Sequence, residues 1–314
     1  MMYRPEDMDG RDKPGHDGQV FTLAHLSDIH LAPLPKPRLT DLMGKRATGY
    51  INWLRKRQRV HDRAVLERLV DDLKDQAPDH IAITGDLANI ALEEEFVRAR
   101  RWLQQLDSFK TVSLVPGNHD AYVRQAVRYA PQWAPWMTGD DGVTGFPYVR
   151  RRGPVALIGL STAIATAPFM ATGRLGEAQV KALAPLLDTL KAEGLFRVIL
   201  IHHPPVTKAA EHKRLLDAWA LTDAVAAHGA ELLLHGHDHV HMLNWLKGPD
   251  GARVPAVGVP SASAAPGTSH DAAAYNLYRI DGAPGAWTCT MVSRGLGAGG
   301  TIVARAPVTL APSP

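Results

Sequence analysis

Short apolar runs alternate with amphipathic segments along the first two thirds of the chain. Between residues 49 and 75, apolar residues recur at spacings of three and four, which predicts a helix. Helices are also predicted at residues 92–106, 177–192 and 222–228. Apolar runs rich in β-branched residues predict strands at 20–26, 81–84, 111–115, 148–151, 155–160, 197–201, 231–234, 254–259, 275–280 and 287–292. This order predicts an α/β fold, with one mixed sheet or two packed sheets.

Five polar motifs follow five of the predicted strands. They are Asp28-Ile29-His30, Gly85-Asp86, Gly117-Asn118-His119-Asp120, His202-His203-Pro204 and Gly236-His237-Asp238-His239. In α/β folds, ligands usually bind beyond the carboxyl ends of the strands. One Asp or His in such a loop is more often structural than functional. Five of these motifs in this order indicate a common site.

The side chains of the motifs are carboxylates, an amide and imidazoles, which are ligands for two divalent metals. Mixed nitrogen and oxygen donors without thiolate favour Mn, Fe, Zn or Co over copper(I) or iron–sulfur chemistry. In extended backbone, residues two apart point to the same side. We therefore expect Asp28 and His30 to bind one ion together, and likewise His237 and His239. Asp86 is expected to bridge two ions through its two carboxylate oxygens.

Composition limits the remaining possibilities. The chain has 314 residues, 45% of them hydrophobic, which is enough for a substantial core. Its net charge of +3 is too slight for a nucleic-acid-binding composition, so no nucleic-acid partner is expected. The single cysteine, Cys289, excludes an internal disulfide and thiolate-rich metal sites. No run reaches the roughly 18 apolar residues of a membrane span, and no secretory signal is visible, so a cytoplasmic location is expected.

Three regions are predicted from composition and motif placement. Residues 1–18 are polar and rich in Gly, Pro and Asp, which predicts a disordered extension. Residues 19–293 are expected to form one domain that contains all five motifs. Residues 294–314 are rich in Gly, Ala and Pro, which predicts a loose tail.

With these five motifs in order, the chain resembles the calcineurin-like metallophosphoesterases over residues 20–280. The resemblance implies a four-layer αββα sandwich of two mixed β-sheets, with a dinuclear site at the carboxyl ends of the strands. It assigns four ligands to the first metal: Asp28, His30, Asp86 and His239. It assigns the second metal to Asp86, Asn118, His202 and His237. His119 is then not a ligand but a catalytic residue that faces the phosphate.

The resemblance also implies the reaction: hydrolysis of a phosphoric ester by a hydroxide held between two metal ions. In the protein-phosphatase branch of the family, an aspartate three residues after the bridging one pairs with the catalytic histidine. Asn89 stands at that position here, and a neutral amide cannot raise the basicity of His119 as a carboxylate would. The chain therefore looks more similar to the bacterial cyclic-nucleotide type of phosphodiesterase. We expect it to hydrolyse a small cyclic nucleotide or a related phosphodiester.

One segment leaves alternatives open. Residues 36–63 contain nine Lys or Arg and two acids, with Tyr50, Ile51, Trp53 and Leu54 among them. The segment is a solvated helix face, a cap that attracts anionic substrate, or a patch that contacts acidic lipid headgroups. The last interpretation suits an alternative function, a pyrophosphohydrolase on a UDP-sugar lipid precursor at the inner membrane face. A scaffold without metals is disfavoured because every expected ligand position is filled.

Several polar residues beside the motifs have open roles. They either orient the metal ligands or serve only in packing and loop formation. They are His25, His203, His235, His241, Asp120 and Asp238.

Overall fold

The predicted strands form two separate sheets. The computed structural model describes residues 20–268, 270–297 and 299–310. The strands in chain order are β1 (Phe21–Leu26), β2 (His80–Ile83), β3 (Val112–Leu114), β4 (Tyr148–Arg152), β5 (Val155–Gly159), β6 (Phe196–Leu200), β7 (Leu232–His235), β8 (Met242–Lys247), β9 (Arg253–Gly258), β10 (Ala274–Asp281), β11 (Thr288–Leu296), β12 (Ile302–Ala304) and β13 (Val308–Thr309). Most lie within two residues of the predicted runs, while β8, β12 and β13 were not predicted.

Both sheets are mixed. The first has the order β12-β11-β10-β1-β2-β3, with β13 paired to β11, and the second has the order β4-β5-β6-β7-β9-β8. In the first sheet β1, β2 and β3 run parallel, and β10 is antiparallel to β1. In the second, β5, β6, β7 and β9 run parallel, with β4 and β8 antiparallel at the two edges.

The helices are α1 (Lys45–Asn52), α2 (Gln58–Val60), α3 (Arg63–Asp75), α4 (Glu93–Leu106), α5 (Glu177–Ala192) and α6 (Ala218–His228). The last four contribute buried side chains to the cores on the faces of the sheets. Alternate residues of β6 show the layering. Val198 and Leu200 belong to the core between the sheets, whereas Ile199 and Ile201 pack with α5 and α6. Each such fully buried aliphatic side chain contributes about 1.5–3 kcal/mol. The four-layer α/β fold with two mixed sheets is confirmed.

The helix predicted within residues 49–75 is interrupted. Residues Trp53–Arg57 form a π-helix between α1 and α2. His61 then adopts extended backbone and pairs with Ala264 as an isolated β-bridge. The next helix, α3, begins with Asp62 as its N-cap, because the Asp62 side chain accepts from the backbone N–H of Ala64 at 2.7 Å. The helical spacing of apolar residues continues across this interruption, so the sequence pattern could not show where the helix breaks.

Residues 294–297 and 299–310 differ from the predicted loose tail. Residues up to Leu296 continue β11, and β12 and β13 both pair with β11. Leu310 is fully buried. Ile302, Val303 and Val308 supply the β-branched residues for these strands, which the surrounding Gly and Pro obscured in the sequence. The predicted extension at residues 1–18 lies outside the described residues. None of the helices in the described ranges is long and apolar enough to cross a membrane.

Candidate metal centre

The five motifs meet where the two sheets present the carboxyl ends of their parallel strands. Asp28 and Asp86 follow β1 and β2, Asn118 follows β3, and the other two motifs follow β6 and β7. Backbone bonds join the loops: Asp28 N–H donates to Gly85 O at 3.0 Å. The two sheets are joined at the site, because His237 N–H donates to Asp28 Oδ2 at 2.9 Å.

The backbone of the ligand loops is left-handed, not extended. The residues with positive φ include Asp28 (53°), His30 (40°), Asp86 (57°), His237 (73°) and His239 (56°). Such angles are uncommon outside glycine and often accompany function. We expected residues two apart to share an ion because extended backbone points them to the same side. That reason is wrong, since the backbone here is not extended. The expectation also fails for His237 and His239, whose side chains join different groups of donors.

One group of donors surrounds Asp28. Its Oδ1 lies 3.0 Å from Nε2 of His239 and 3.9 Å from Nε2 of His30. Asp28 Oδ1 is buried and has no hydrogen-bond partner among the described residues. Ligand atoms of Asp28, His30 and His239 all lie within 4.8 Å of one another. A buried carboxylate oxygen facing two imidazoles without a hydrogen bond fits a shared divalent metal.

A second group surrounds Asn118. Its Oδ1 lies 3.1 Å from Nε2 of His202 and 2.9 Å from Nδ1 of His237. Asp86 joins the two groups, because its Oδ2 is 3.7 Å from His30 Nε2 and 3.5 Å from His202 Nε2. The other oxygen, Oδ1, accepts from the backbone N–H of His119 at 2.8 Å. Oδ2 therefore lies close to both groups, while Oδ1 is also bonded to the backbone; the expected bridge through both oxygens stays a prediction.

Backbone carbonyls fix which nitrogen of each histidine faces the donor groups. Because a carbonyl can only accept, the ring nitrogen beside it must carry the proton. The pairs are His30 Nδ1 with Ala88 O (3.0 Å), His202 Nδ1 with Thr84 O (2.6 Å) and His237 Nε2 with Lys213 O (2.8 Å). The opposite nitrogen of each ring then presents its lone pair to the site. This arrangement is typical of metal-binding histidines.

The protonation equilibria show how strongly these groups interact. Burial opposes the charged form of His202, but the Asp86 carboxylate outweighs it and raises the pKa of His202 to about 10. For Asp86, burial acts to raise the pKa, yet the neighbouring His202 charge prevails and lowers it to about 2. Burial, followed by the charge of His202, lowers the pKa of His237 to about 4. Asp86 is thus ionised, and a metal ion bound there would displace the proton that this carboxylate favours on His202.

Asp120 holds two ligand loops together. Its carboxylate accepts from the backbone N–H groups of Asp86 (2.8 Å), Ala88 (2.9 Å) and Gly117 (2.9 Å). A Cβ on Gly117 would overlap the Asp86 carboxylate, so only glycine allows this approach. Burial, reinforced by the charge of Asp86, raises the pKa of Asp120 to about 7.

His119 stands apart from the two donor groups. Its Nδ1 donates to the backbone carbonyl of Asn89 at 2.5 Å, which leaves Nε2 as the lone-pair nitrogen. Burial and then the charge of Arg57 lower the pKa of His119 to about 3. The Asn89 side chain instead donates to Leu31 O at 3.1 Å. Position 89 therefore acts on His119 through its carbonyl, which any residue there would supply.

A cleft of about 950 Å³ opens over the site. Its lining combines basic and apolar side chains with the histidines: Lys56, Arg57, Val60, Val206, Lys208, Lys213, Val240, Met242 and Leu243. Arg57 contacts two histidines of the motifs: its Nη1 lies 3.1 Å from both ring nitrogens of His119, and its Nη2 lies 2.8 Å from Nε2 of His30. The sequence marked the basic segment 36–63 but offered no signal that distinguishes Arg57 from its eight basic neighbours.

The histidines with open roles separate into buried and half-exposed groups. His25 contacts Thr84 Oγ1 at 2.8 Å, and His203 contacts Thr162 Oγ1 at 2.7 Å. His235 is also fully buried, whereas His241 lines the cleft. The ring of His203 packs 4.3 Å from that of His237 and so supports a candidate ligand directly.

A family model described as calcineurin-like phosphoesterase matches residues 21–241, well over half of the chain. The chain belongs to the calcineurin-like phosphoesterase family. It is therefore a metal-dependent phosphoesterase, and the donor groups described above fit the two divalent ions that the family implies. The family leaves the substrate open.

Solved structures share the fold at low identity. A dimetal phosphatase from Danio rerio gives a TM-score of 0.60 at 16% identity, covering 94% of this chain and 99% of that chain. A purple acid phosphatase from yellow lupin (Lupinus luteus) seeds gives 0.53 at 12% identity, covering 93% of this chain and 54% of that chain. A search of curated proteins finds no significant match.

Proposed function

We propose that this phosphoesterase is a phosphodiesterase that hydrolyses a small cyclic nucleotide or a related phosphodiester. The observation that carries the proposal is the cleft, whose lining combines cationic side chains with an apolar surface of Val206, Val240, Met242 and Leu243. A diester has two organic substituents on phosphorus, and both need room beside the metal centre. A cleft of about 950 Å³ has that room, whereas a monoester needs to seat only one substituent.

Seven residues would bind the metal ions, and His119 would protonate the leaving oxygen. Asp28, His30, His239 and Asp86 would hold one ion, and Asp86, Asn118, His202 and His237 the other. When bound, such a metal pair activates water and polarises the phosphoryl oxygens. His119 is held by the Asn89 carbonyl, which leaves the lone pair on Nε2, 3.1 Å from Arg57 Nη1. An anionic phosphoryl group beside it would counter the charge of Arg57 and favour protonation of Nε2, from which the proton can pass to the leaving oxygen.

The test is a substrate panel on the purified full-length protein with added Mn²⁺. It compares cyclic AMP, a glycerophosphodiester and an aryl phosphodiester with the matching aryl phosphomonoester and a lipid-linked UDP-sugar. We expect at least one diester to be hydrolysed with a higher kcat/KM than the monoester. Preference for the monoester over all diesters would overturn the proposal, and a chelator-treated sample provides the metal-free control.

A second candidate is a pyrophosphohydrolase on a UDP-sugar lipid precursor, acting at the inner face of the membrane. It is favoured by the exposed apolar residues of the basic segment 36–63: Leu39 (89% exposed), Met43 (76%), Ile51 (47%) and Leu54 (45%). Large apolar side chains interspersed with Lys and Arg are typical of segments that lie on anionic lipid. Asn52, Lys56 and Arg57 of the same segment line the cleft, so a lipid-borne substrate could reach it.

Vesicle flotation separates this candidate from the first. The protein is mixed with vesicles of neutral phosphatidylcholine, with or without anionic phosphatidylglycerol. The second candidate predicts binding to the anionic vesicles only, and loss of binding in a Leu39→Ser, Met43→Ser double variant. Val143→Ser, at another exposed apolar position (63% exposed), is the matched control. Absence of binding to anionic vesicles would remove this candidate and leave the first intact.

A further inference from the structure

Arg57 is a cation in the cleft, and no described residue pairs a carboxylate with it. Within the described ranges, its guanidinium contacts imidazole nitrogens: His30 Nε2 at 2.8 Å, both ring nitrogens of His119 at 3.1 Å, and His61 Nε2 at 3.4 Å. Among the described residues, no acidic oxygen lies within 4.0 Å of it. Burial lowers the pKa of Arg57, and the more distant Asp86 partly opposes this effect. A partly buried cation in this setting is stabilised by an anion of suitable geometry.

The backbone holds Arg57 in place from both sides. Arg57 ends the π-helix, a conformation that often occurs at functional sites. Trp53, 5% exposed, stacks on the His61 ring with centroids 6.1 Å apart and planes 5° apart. His61 N–H donates to Arg57 O at 2.9 Å, and its Nδ1 contacts Ser263 Oγ at 2.9 Å. The guanidinium is therefore preorganised.

Metal loading and the Arg57 contact compete for one atom. His30 Nδ1 carries the proton that it donates to Ala88 O, so Nε2 has a single lone pair. That lone pair cannot both accept from Arg57 Nη2 and bind a metal. When His30 acts as a ligand, the Nη2 hydrogens become available to another acceptor beside His119.

We propose that Arg57 is a substrate-binding residue that donates to a non-bridging oxygen of the phosphoryl group held between the metal centre and His119. The inference rests on the proposed phosphoesterase reaction and deepens it by naming the cation that binds the substrate anion. Two Nη groups span the interval between His30 and His119, so one guanidinium can contact the phosphoryl group next to the residue that serves the leaving oxygen. It also offsets charge that develops on the equatorial oxygens.

The test uses the Mn²⁺-loaded, full-length protein and four forms: wild type, Arg57→Gln, Arg57→Lys and Arg55→Gln. Arg55 is an exposed neighbour with the same charge, so its variant controls for net charge and helix propensity. The first readout is calorimetric binding of inorganic phosphate, and the second is metal content per chain. The third is the separation of KM and kcat on whichever diester is hydrolysed.

We expect Arg57→Gln to keep two metals per chain and to weaken phosphate binding at least tenfold. Arg57→Lys should recover part of that affinity, because it keeps the charge without the planar fork. On a diester, loss of one charged donor should lower kcat/KM by about 100- to 1,000-fold. Arg55→Gln should match wild type in all three measurements.

Two results would overturn the role of Arg57. One is wild-type phosphate affinity in Arg57→Gln, and the other is loss of metal from Arg57→Gln and Arg57→Lys alike, which would make it part of the ligand framework. Phosphate binding does not depend on which ester is cleaved. A failed diester panel would therefore count against the proposed function without deciding the role of Arg57.

Discussion

The ligand loops and the basic segment 36–63 both line the cleft, yet they are built differently. Each ligand loop follows a buried parallel strand, so the register of the sheet fixes where its side chains meet. The basic segment has no strand of a sheet to place it and is held by separate contacts, such as the stacking of Trp53 on His61 and the bonds of Arg46 to Ile90 O and Ala91 O. Residues placed by a sheet can be recognised from motif order, whereas one arginine among nine basic residues is selected only by its tertiary contacts.

The largest effect is expected from a substitution of Asp86, which lies between the two donor groups. Asp86→Ala removes the Oδ2 that lies near both His30 and His202. We expect loss of at least one metal per chain and of activity with it, measured by metal analysis and by turnover. Retention of both ions would contradict the bridging role of Asp86. Asp188→Ala, at an exposed site paired with His228, should leave metal content unchanged.

His119 separates catalysis from metal binding. His119→Ala should retain both metals, because its ring nitrogens do not belong to either donor group among the described residues. Turnover should fall by about 100- to 10,000-fold, the usual range for a positioned acid–base group. The loss should be smallest for diesters with good leaving groups, which need little protonation. An unchanged rate on a diester with a poor leaving group would exclude the assigned role.

Asp120 tests how the ligand loops are supported. Asp120→Asn keeps the shape but provides one acceptor oxygen for the three N–H groups that the carboxylate now serves. We expect metal affinity to weaken by about 10- to 100-fold, measured by titration with Mn²⁺. Asp141→Asn is the matched control, because the exposed Asp141 also accepts from a backbone N–H, that of Val143. Equal affinities in the two variants would show that the Asp120 contacts do not support the site.

Asn89→Asp tests whether position 89 acts through its side chain. Asn89 is fully buried, its amide donates to Leu31 O, and its Oδ1 has no partner among the described residues. A carboxylate would lose the donor and bury a charge, so we expect unfolding free energy to fall by about 1–3 kcal/mol. Urea denaturation measures this. A rate increase without destabilisation would instead show that the side chain reaches His119.

The smallest effect lies far from the cleft. Asp72 accepts from Arg294 Nε (2.8 Å) and Nη2 (2.6 Å) and from Tyr275 Oη (2.7 Å), which joins α3 to β10 and β11. The Arg294 hydrogen bonds lower the pKa of Asp72 below its usual value. Its stabilisation is therefore present above the unfolded pKa of about 3.9 and is lost as pH falls through the lower folded value.

Asp72→Asn should accordingly lower stability at pH 7 by about 1 kcal/mol, without affecting turnover or metal content. The difference from wild type should begin to shrink below about pH 4, where Asp72 of the unfolded chain becomes protonated, and should vanish below the lower folded pKa. Urea denaturation at both pH values provides the check. A difference that stays constant with pH would mean that the carboxylate charge is not the source of the stabilisation.

The α/β fold, most strand positions and the family could be predicted from the amino-acid sequence alone. Strands and helices have local periods, and the five motifs stand in the order in which the parallel strands deliver them. The candidate metal ligands could be named because their chemistry and position repeat at each strand end. They are Asp28, His30, Asp86, Asn118, His202, His237 and His239. These signals can be recognised in the sequence because each depends on residues that are close in the chain.

The remaining features depend on contacts between distant parts of the chain. The backbone at His237 and His239 is left-handed, and their side chains join different donor groups. The break at His61 depends on Ala264 and Ser263, more than two hundred residues away in the chain. Pairing with β11 likewise places β12 and β13. Arg57 reaches His119 through contacts between distant residues, and no local pattern encodes such contacts.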